Sequence, residues 1–176
     1  MRTFIVLLKG INVGGHKKVA MAELRNLLNV KGYEAVQTYI QSGNIVLQSS
    51  QTKREIEKTL EEAILSYFGF EVSVLTLSHQ DLQMIFDHCP FNEVKKKASY
   101  FMMLHDNPDP DALKIALEKT YEGDEYHIIN KCIYYYSSKG FGQSKFNVNF
   151  FERKFKTFAT ARNYNTMVKL LSLSAE

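Results

Sequence analysis

Residues 3–28 read TFIVLLKGINVGGHKKVAMAELRNLL and predict a strand, a loop and a helix in succession. The unbroken apolar run over residues 3–8 is typical of a buried strand. Over residues 21–30, apolar residues recur at spacings of three and four, which predicts an amphipathic helix. The loop between them, residues 9–18, holds three glycines and three lysines. A flexible, cationic segment therefore joins the first strand to the first helix.

The chain beyond this helix predicts a hairpin, a second helix and a further strand. Two runs rich in strand-forming residues flank the turn Gln41-Ser42-Gly43-Asn44, which is typical of a β-hairpin. A longer amphipathic stretch ended by Gly69 predicts a helix. The predicted elements are strands at residues 35–40, 45–48 and 72–75 and a helix at residues 55–68. The first half of the chain thus follows the order βαββαβ.

The second half repeats this pattern after a linking helix that begins at Ser78. The predicted elements are a loop at residues 90–97, strands at residues 100–104, 126–129 and 133–136, and a helix at residues 111–119. We interpret the two halves, residues 1–77 and 78–176, as an internal structural repeat with little residue identity. The predicted fold class is α+β, with two pseudo-repeats of βαββ type and a C-terminal helical segment.

The composition is typical of a globular protein with a substantial core. A chain of 176 residues with 45% apolar residues is expected to bury roughly 70% of its unfolded surface. No segment approaches the roughly 20 uninterrupted apolar residues of a membrane span, and the run at residues 3–8 is too short for a signal peptide. We therefore expect a cytoplasmic protein with no membrane partner. Cys89 and Cys132 lack CxxC spacing and are expected to be buried thiols.

The two strand-to-helix loops differ in charge, and this difference suggests a function. The second loop, residues 105–111, reads HDNPDPD and supplies acidic side chains to the exposed N–H groups at the start of its helix. The first loop has no Asp or Ser next to its helix and no acid before Glu23. An external anion could fill the capping position, because Gly14 and Gly15 leave backbone N–H groups accessible. The alternative is a tight turn that requires positive φ, beside a pair of solvated lysines.

Catalytic and nucleotide-binding motifs are weak in this sequence. Gly10 and Gly15 have the spacing of a P-loop, but His16 replaces its lysine and no Ser or Thr follows to bind magnesium. The five histidines lack metal-ligand spacing, so no metal site is predicted, and there is no GxSxG motif. His16 is the histidine best placed to transfer protons, although an exposed loop residue is the simpler interpretation. Whether the protein is an enzyme, and with which cofactor, is left open.

Four segments carry a resemblance to a known family. They are KGINVGG at residues 9–15, TYIQSGN at residues 38–44, the pair Ser144-Lys145, and TARNYNTMVKL at residues 160–170. In these motifs the chain resembles the uncharacterised bacterial family called domain of unknown function 1697. The resemblance covers nearly the whole chain and implies a compact α+β fold of two ferredoxin-like halves, without an established activity. Lys9 stands where relatives usually have arginine, and Tyr164 where tryptophan is common, which removes a bidentate donor and an indole N–H.

These motifs are rich in amides, hydroxyls and cations, which orient ligands better than they transfer protons. In the last motif, residues Arg162, Asn165, Thr166 and Lys169 have helical spacing and predict a polar helix face beside the glycine loop. An ordinary amphipathic surface helix is the plainer interpretation. We therefore predict a small anionic or phosphate-bearing ligand at the glycine-rich loop. The predicted ligand-binding residues are Lys9, Gly10, Asn12, Gly14, Gly15, Lys17, Gln41, Ser42, Asn44, Lys145, Arg162 and Asn165.

A single-stranded nucleic acid is the alternative ligand. Residues 139–146 read KGFGQSKF and agree with the RNA-recognition signature at its first four and its last positions, with three tyrosines at residues 134–136. Against this, Gln143 replaces a stacking aromatic residue, and the glycines favour a loop. A protein-interaction module is a third interpretation, and the net charge of +3 is too small to decide among the three.

Overall fold

The computed structural model describes residues 1–140 and 143–175 and divides the chain into two compact units. The first unit comprises Met1–Gln83 together with Val168–Glu176, and the second comprises Met84–Met167. The sequence places a boundary between residues 77 and 78, close to this division. The contacts additionally assign the C-terminal residues to the first unit.

Each unit contains four strands and the helices that connect them. The first contains β1 (Arg2–Leu8), α1 (Met21–Val30), β2 (Glu34–Tyr39), β3 (Asn44–Ser49), α2 (Lys53–Phe68) and β4 (Val74–Ser78), and α3 (His79–Asp87) crosses the division. The second contains α4 (Glu93–Lys97), β5 (Tyr100–Leu104), α5 (Pro110–Leu117), β6 (Asp124–Ile129), β7 (Cys132–Ser137), α6 (Val148–Phe155) and β8 (Ala159–Asn163), and α7 (Tyr164–Ser174) crosses the division again. Among the helices of the described residues, none is long and apolar enough to cross a membrane.

The two sheets have the same topology. The strand order is β2-β3-β1-β4 in the first unit and β6-β7-β5-β8 in the second, and every pairing is antiparallel. A βαββαβ chain with this order is a ferredoxin-like fold. β1 and β5 therefore occupy equivalent central positions, which confirms the predicted α+β repeat.

The core of the first unit is built around β1. Residues 4–8 of this strand are all buried, and because successive side chains alternate, both faces of the strand are covered. One face carries Phe4, Val6 and Leu8. These residues belong to a cluster that also includes Leu24 and Leu28 of α1 and Ile56, Leu60 and Ile64 of α2. Continuous burial explains why the sequence shows an unbroken apolar run in place of the alternation of a half-exposed strand.

The core of the second unit is largely aromatic. Phe151 of α6 is fully buried, and its ring centroid lies 5.1 Å from that of Phe146 and 5.3 Å from that of Tyr126. Phe146 in turn lies 4.3 Å from Tyr135 of β7. Large rings in stacked, tilted and edge-on arrangements fill the space between the sheet and α6.

Carboxylates from the helices cover the edge strands of both sheets. Backbone N–H groups of β4 donate to carboxylate oxygens, from Val74 to Glu61 at 3.2 Å, from Thr76 to Glu57 at 2.8 Å and from Ser78 to Asp81 at 2.7 Å. In β8, the Ala159 N–H donates to Glu152 of α6 at 2.6 Å. Locally satisfied N–H groups make an edge strand less able to pair with another chain.

Two segments differ from the sequence predictions. The predicted loop at residues 90–97 contains α4, because the Asn92 side chain accepts the Lys95 N–H at 3.0 Å and starts a helical turn. The predicted polar helix face from Arg162 to Lys169 is wrong at its first residue. Arg162 lies in β8, where it is opposite Phe101 of β5, and the helix begins only at Tyr164. The strand conformation of Arg162 depends on its pairing with β5, some 60 residues earlier in the chain. A local spacing pattern carries no information about such pairing.

Asp81 links a helix cap to a cation in the first unit. Its carboxylate accepts the N–H and the hydroxyl of Ser78, both at 2.7 Å, and contacts the ammonium group of Lys53. The Ser78 hydroxyl accepts the Asp81 N–H at 3.2 Å, which completes the cap of α3. Partial burial of Asp81 opposes ionisation, but the hydrogen bonds from Lys53 and Ser78 outweigh it and hold the pKa below its ordinary value of 3.8.

This lowered pKa predicts a loss of stability in acid. A carboxylate with a depressed folded-state pKa stabilises the fold above its unfolded-state pKa, and the contribution is lost as the pH falls through the folded-state value. Asp81→Asn should therefore flatten the dependence of the unfolding free energy on pH below about pH 5, as measured by denaturant titration at each pH. Glu118→Gln, which removes an exposed carboxylate after α5, is the control. Equal slopes in the two variants would contradict the prediction.

Candidate functional site

The glycine loop is a miniature hairpin. The His16 N–H donates to the Val13 carbonyl at 3.0 Å, and the two residues between them, Gly14 and Gly15, have φ of +57° and +79°. The Asn12 N–H donates to the carbonyl of Lys17 at 3.1 Å and closes the base of the hairpin. Positive φ at both central residues is the requirement of a type I′ turn, which glycine meets without strain. The turn therefore gives Gly14 and Gly15 a structural reason to be glycine.

Asn12 connects this hairpin to the rest of the first unit. Its side-chain amide donates to the Val19 carbonyl at 3.0 Å and to the Gln41 carbonyl at 2.8 Å, and its oxygen accepts the Val19 N–H at 2.8 Å. Both polar atoms of the amide are thus engaged inside the protein. Asn12, predicted as a ligand contact, has an architectural role in this geometry.

The turn at residues 41–44 is built against the same region. The Gly43 carbonyl accepts the Leu8 N–H at 2.8 Å at the end of β1. Asn44 is buried and donates to the Tyr39 carbonyl at 3.1 Å and to the Ser42 hydroxyl at 2.9 Å. The structure therefore brings the KGINVGG and TYIQSGN motifs together. The Asn12 amide joins the two turns through the Gln41 carbonyl, and the Asn44 amide stabilises its own turn.

The helix after each loop begins differently, as the sequence predicts. α1 starts after Ala20, and no side chain caps it. α5 starts after Asp109, whose carboxylate accepts the N–H groups of Asp111 at 3.0 Å and Ala112 at 3.1 Å. The first turn of α1 therefore lacks the side-chain acceptor that its counterpart has.

A cleft of about 530 Å³ lies beside the glycine hairpin in the first unit. It is lined by residues from the end of β1, the hairpin, α2 and the connection to β4: Lys9, Gly10, Lys17, Glu61, Glu62, Leu65, Glu71, Val72 and Ser73. Gly10 has φ of +68°, and apart from its chain neighbours no atom of the described residues lies within 4 Å of the position a Cβ would take, so its backbone is open. Of the predicted site residues, the cleft brings together Lys9, Gly10 and Lys17.

Lys17 owes its position in the cleft to a long-range contact. It has φ of +47°, and its ammonium group donates to the Glu71 carbonyl at 2.6 Å. Sequence reasoning identified Lys17 but missed Glu61, Glu62 and Glu71. Nothing local distinguishes these glutamates from the other acids of a solvated helix and its following loop.

The remaining predicted site residues belong to the second unit. Arg162 is buried in β8 and donates to the Thr160 hydroxyl and the Ala161 carbonyl, both at 2.8 Å. Burial lowers the pKa of this guanidinium to about 10, because the charged form is poorly solvated. Asn165 of α7 and Lys145 are exposed. Arg162 thus stabilises strand structure and is not part of an exposed helix face.

The segment that resembles an RNA-recognition signature does not display a stacking surface in its described part. Phe141 and Gly142 lie outside the described residues. Phe146 packs inside the aromatic core, and Tyr134 and Tyr135 are buried. Rings that are buried cannot stack on bases, so these residues do not favour nucleic-acid binding.

Nucleophilic and metal chemistry have little support among the described residues. Cys89 and Cys132 are free thiols, and burial raises the pKa of both. A raised pKa keeps a thiol protonated and unreactive near neutral pH. Within residues 1–140 and 143–175, no group of three or more His, Cys, Asp or Glu side chains is arranged to hold a metal ion.

The fold and the cleft define an α+β protein built from two successive ferredoxin-like units. The chain belongs to the family described as Protein of unknown function (DUF1697), whose model matches residues 1–134. Among solved structures, it is similar to the conserved bacterial protein SP0830 from Streptococcus pneumoniae, with 26% sequence identity and a TM-score of 0.76 over 98% of each chain. A comparison with curated proteins finds no match.

Proposed function

We propose that this is a cytoplasmic protein that binds a small anionic or phosphate-bearing ligand in the cleft beside the glycine hairpin. The single observation that carries the proposal is the convergence of Lys9, Gly10 and Lys17 on that cleft. Two ammonium groups attract an anion, and an open glycine backbone allows its oxygens to approach the main chain. The cleft volume of about 530 Å³ is within the usual range for small-ligand pockets.

The contrast between the two repeats supports the proposal. The second unit has an acidic cap at the equivalent loop, whereas the first has lysines and a helix start without a side-chain cap. A negative charge is favoured near a helix N-terminus. The lysines and uncapped helix start of the first loop therefore suit an anion, whereas the second loop supplies carboxylates of its own; in the cleft itself it is the lysines and Gly10 of the first loop that are present.

Lys17→Ala should weaken the binding of inorganic phosphate by about 1–3 kcal/mol, which is about 5–150-fold in Kd. The physical reason is the loss of one charge-assisted hydrogen-bond donor in the cleft. Phosphate should raise the melting temperature of the parent by mass action, and this shift should shrink in the variant. Calorimetric titration at constant ionic strength would give the two affinities directly.

Lys18→Ala is the matched control, because it removes the neighbouring lysine, which is exposed and does not line the cleft. Its phosphate affinity should equal that of the parent. If the parent shows no phosphate-dependent stabilisation beyond that of chloride at equal ionic strength, or if Lys17→Ala and Lys18→Ala behave alike, the proposal is wrong and the loop is only a turn.

A further inference from the structure

The charges around the cleft are mixed, and a simple polyanion does not complement them. Lys9 and Lys17 supply two ammonium groups, whereas Glu61, Glu62 and Glu71 supply three carboxylates. A nucleoside triphosphate in this cleft would meet the lysines and be repelled by the glutamates at the same time. The excess of carboxylates favours a ligand that carries a positive group as well.

Both signs of charge are present among the residues that line the cleft. The Lys17 ammonium is 2.6 Å from the main-chain oxygen of Glu71, whose own carboxylate is only three bonds further along its side chain from the Cα. Yet Lys17 and Glu71 form no ion pair with each other anywhere in the described structure. One ammonium hydrogen of Lys17 is used by the carbonyl, and two are left for a ligand. The cleft is therefore lined by a cation and an anion that do not pair with each other among the described residues.

Glu61 and Glu62 differ in the contacts that their carboxylates make within the protein. Glu61 accepts the Val74 N–H at 3.2 Å and so helps to cover the edge of β4. Glu62 lies 3.9 Å from Lys58 on α2, in a pair whose side chains are 69% and 79% exposed. An exposed pair of this kind contributes little energy and is easily exchanged for another partner. Glu71 and Glu62 are thus the carboxylates best able to contact a ligand cation.

Resting on the proposed function, we infer that the ligand of this cleft is a small zwitterion with an acidic group and an amine separated by a short linker. The acidic group, a phosphate or a carboxylate, contacts Lys17 and the Gly10 backbone. The amine contacts Glu71, and Leu65 and Val72 supply the apolar wall between the charged groups. Compounds of this class include phosphorylated amino alcohols and amino acids.

Titration calorimetry with three probes tests the inference. Phosphoethanolamine carries both charges, ethyl phosphate carries the anion alone, and ethanolamine carries the cation alone. Phosphoethanolamine should bind about tenfold more tightly than ethyl phosphate, the effect of one added hydrogen bond between charged groups. β-Alanine, with a carboxylate in place of the phosphate, identifies which acidic group is preferred.

Substitution of single glutamates tests which residue causes the preference for phosphoethanolamine over ethyl phosphate. Glu71→Gln should remove the advantage of phosphoethanolamine and leave ethyl phosphate binding unchanged or slightly tighter, because a repulsive charge is lost. Glu34→Gln, an exposed residue of β2 that does not line the cleft, should retain the advantage. Equal affinity of the parent for phosphoethanolamine and ethyl phosphate would overturn the inference that the ligand is a zwitterion. The proposal that the cleft binds an anion would then still stand. Failure of all the anionic probes to bind, β-alanine included, would overturn the proposed function itself.

Discussion

Replacing Gly43 with alanine is expected to lower the free energy of unfolding by about 2–5 kcal/mol. Gly43 has φ of +76°, and an added Cβ would lie 2.6 Å from the Leu8 Cβ and 3.1 Å from the Ile11 Cδ1. The loss combines left-handed backbone strain with overpacking against β1, whose main chain cannot move away without breaking the sheet. Denaturant unfolding followed by far-ultraviolet circular dichroism measures it.

Gly69→Ala separates the two causes. Gly69 has φ of +80° at the end of α2, and within the described part of the chain no atom beyond its own helix and neighbours lies within 4 Å of where an added Cβ would lie. This variant should lose only about 1–2 kcal/mol, from strain alone. Equal losses for Gly43→Ala and Gly69→Ala would show that overpacking of the added Cβ against β1 contributes nothing to the loss.

Phe151→Ala is expected to lower the free energy of unfolding by about 3–5 kcal/mol. The ring is fully buried, and its centroid lies within 5.3 Å of the centroids of Tyr126, Phe146 and Phe150. Its removal leaves a cavity that the surrounding rings can fill only in part, because their positions are set by strands on one side and α6 on the other. Denaturant unfolding followed by near-ultraviolet circular dichroism reports on these rings.

Phe150→Ala is the comparison, since it removes the same number of atoms from the neighbouring, only partly buried position of α6. It should cost clearly less than Phe151→Ala, because less apolar surface is returned to water and no closed cavity forms. A loss as large at Phe150 as at Phe151 would contradict the assignment of Phe151 as the centre of the core.

Polar side chains that support turns can resemble the residues of a ligand-binding site when only the sequence is known. Asn12 and Asn44 have the amide chemistry of ligand contacts, and in the structure those amides bond to main-chain and hydroxyl groups of their own segment or of the adjacent turn. A buried turn needs such partners, because an unsatisfied backbone group is costly. Their chemistry alone therefore could not separate a ligand contact from a turn contact.

Local patterns were sufficient for most of the elements. The predicted helix at residues 21–30 and the predicted strand at residues 100–104 agree with α1 and β5 residue for residue. Both have an unambiguous period or an unbroken apolar run. β8 was missed because Thr160 and Arg162, its buried polar residues, interrupt the apolar pattern. Burial of polar residues there depends on hydrogen bonds that no local spacing reports.

The sequence by itself determined the α+β class, the order of the elements in the first repeat, the order from β5 to β7 in the second, and the uncapped, cationic character of the first loop. These properties depend on residues that are neighbours along the chain, so periodicity, turn chemistry and charge are enough to predict them. Only the tertiary structure decided which of the polar residues contact one another. Lys17 reaches the carbonyl of Glu71, 54 residues away, while Asn12 reaches that of Gln41 across 29 residues. Such contacts arise when sheet pairing brings distant turns to one end of the unit, and their partners are chosen by that geometry and not by any local pattern.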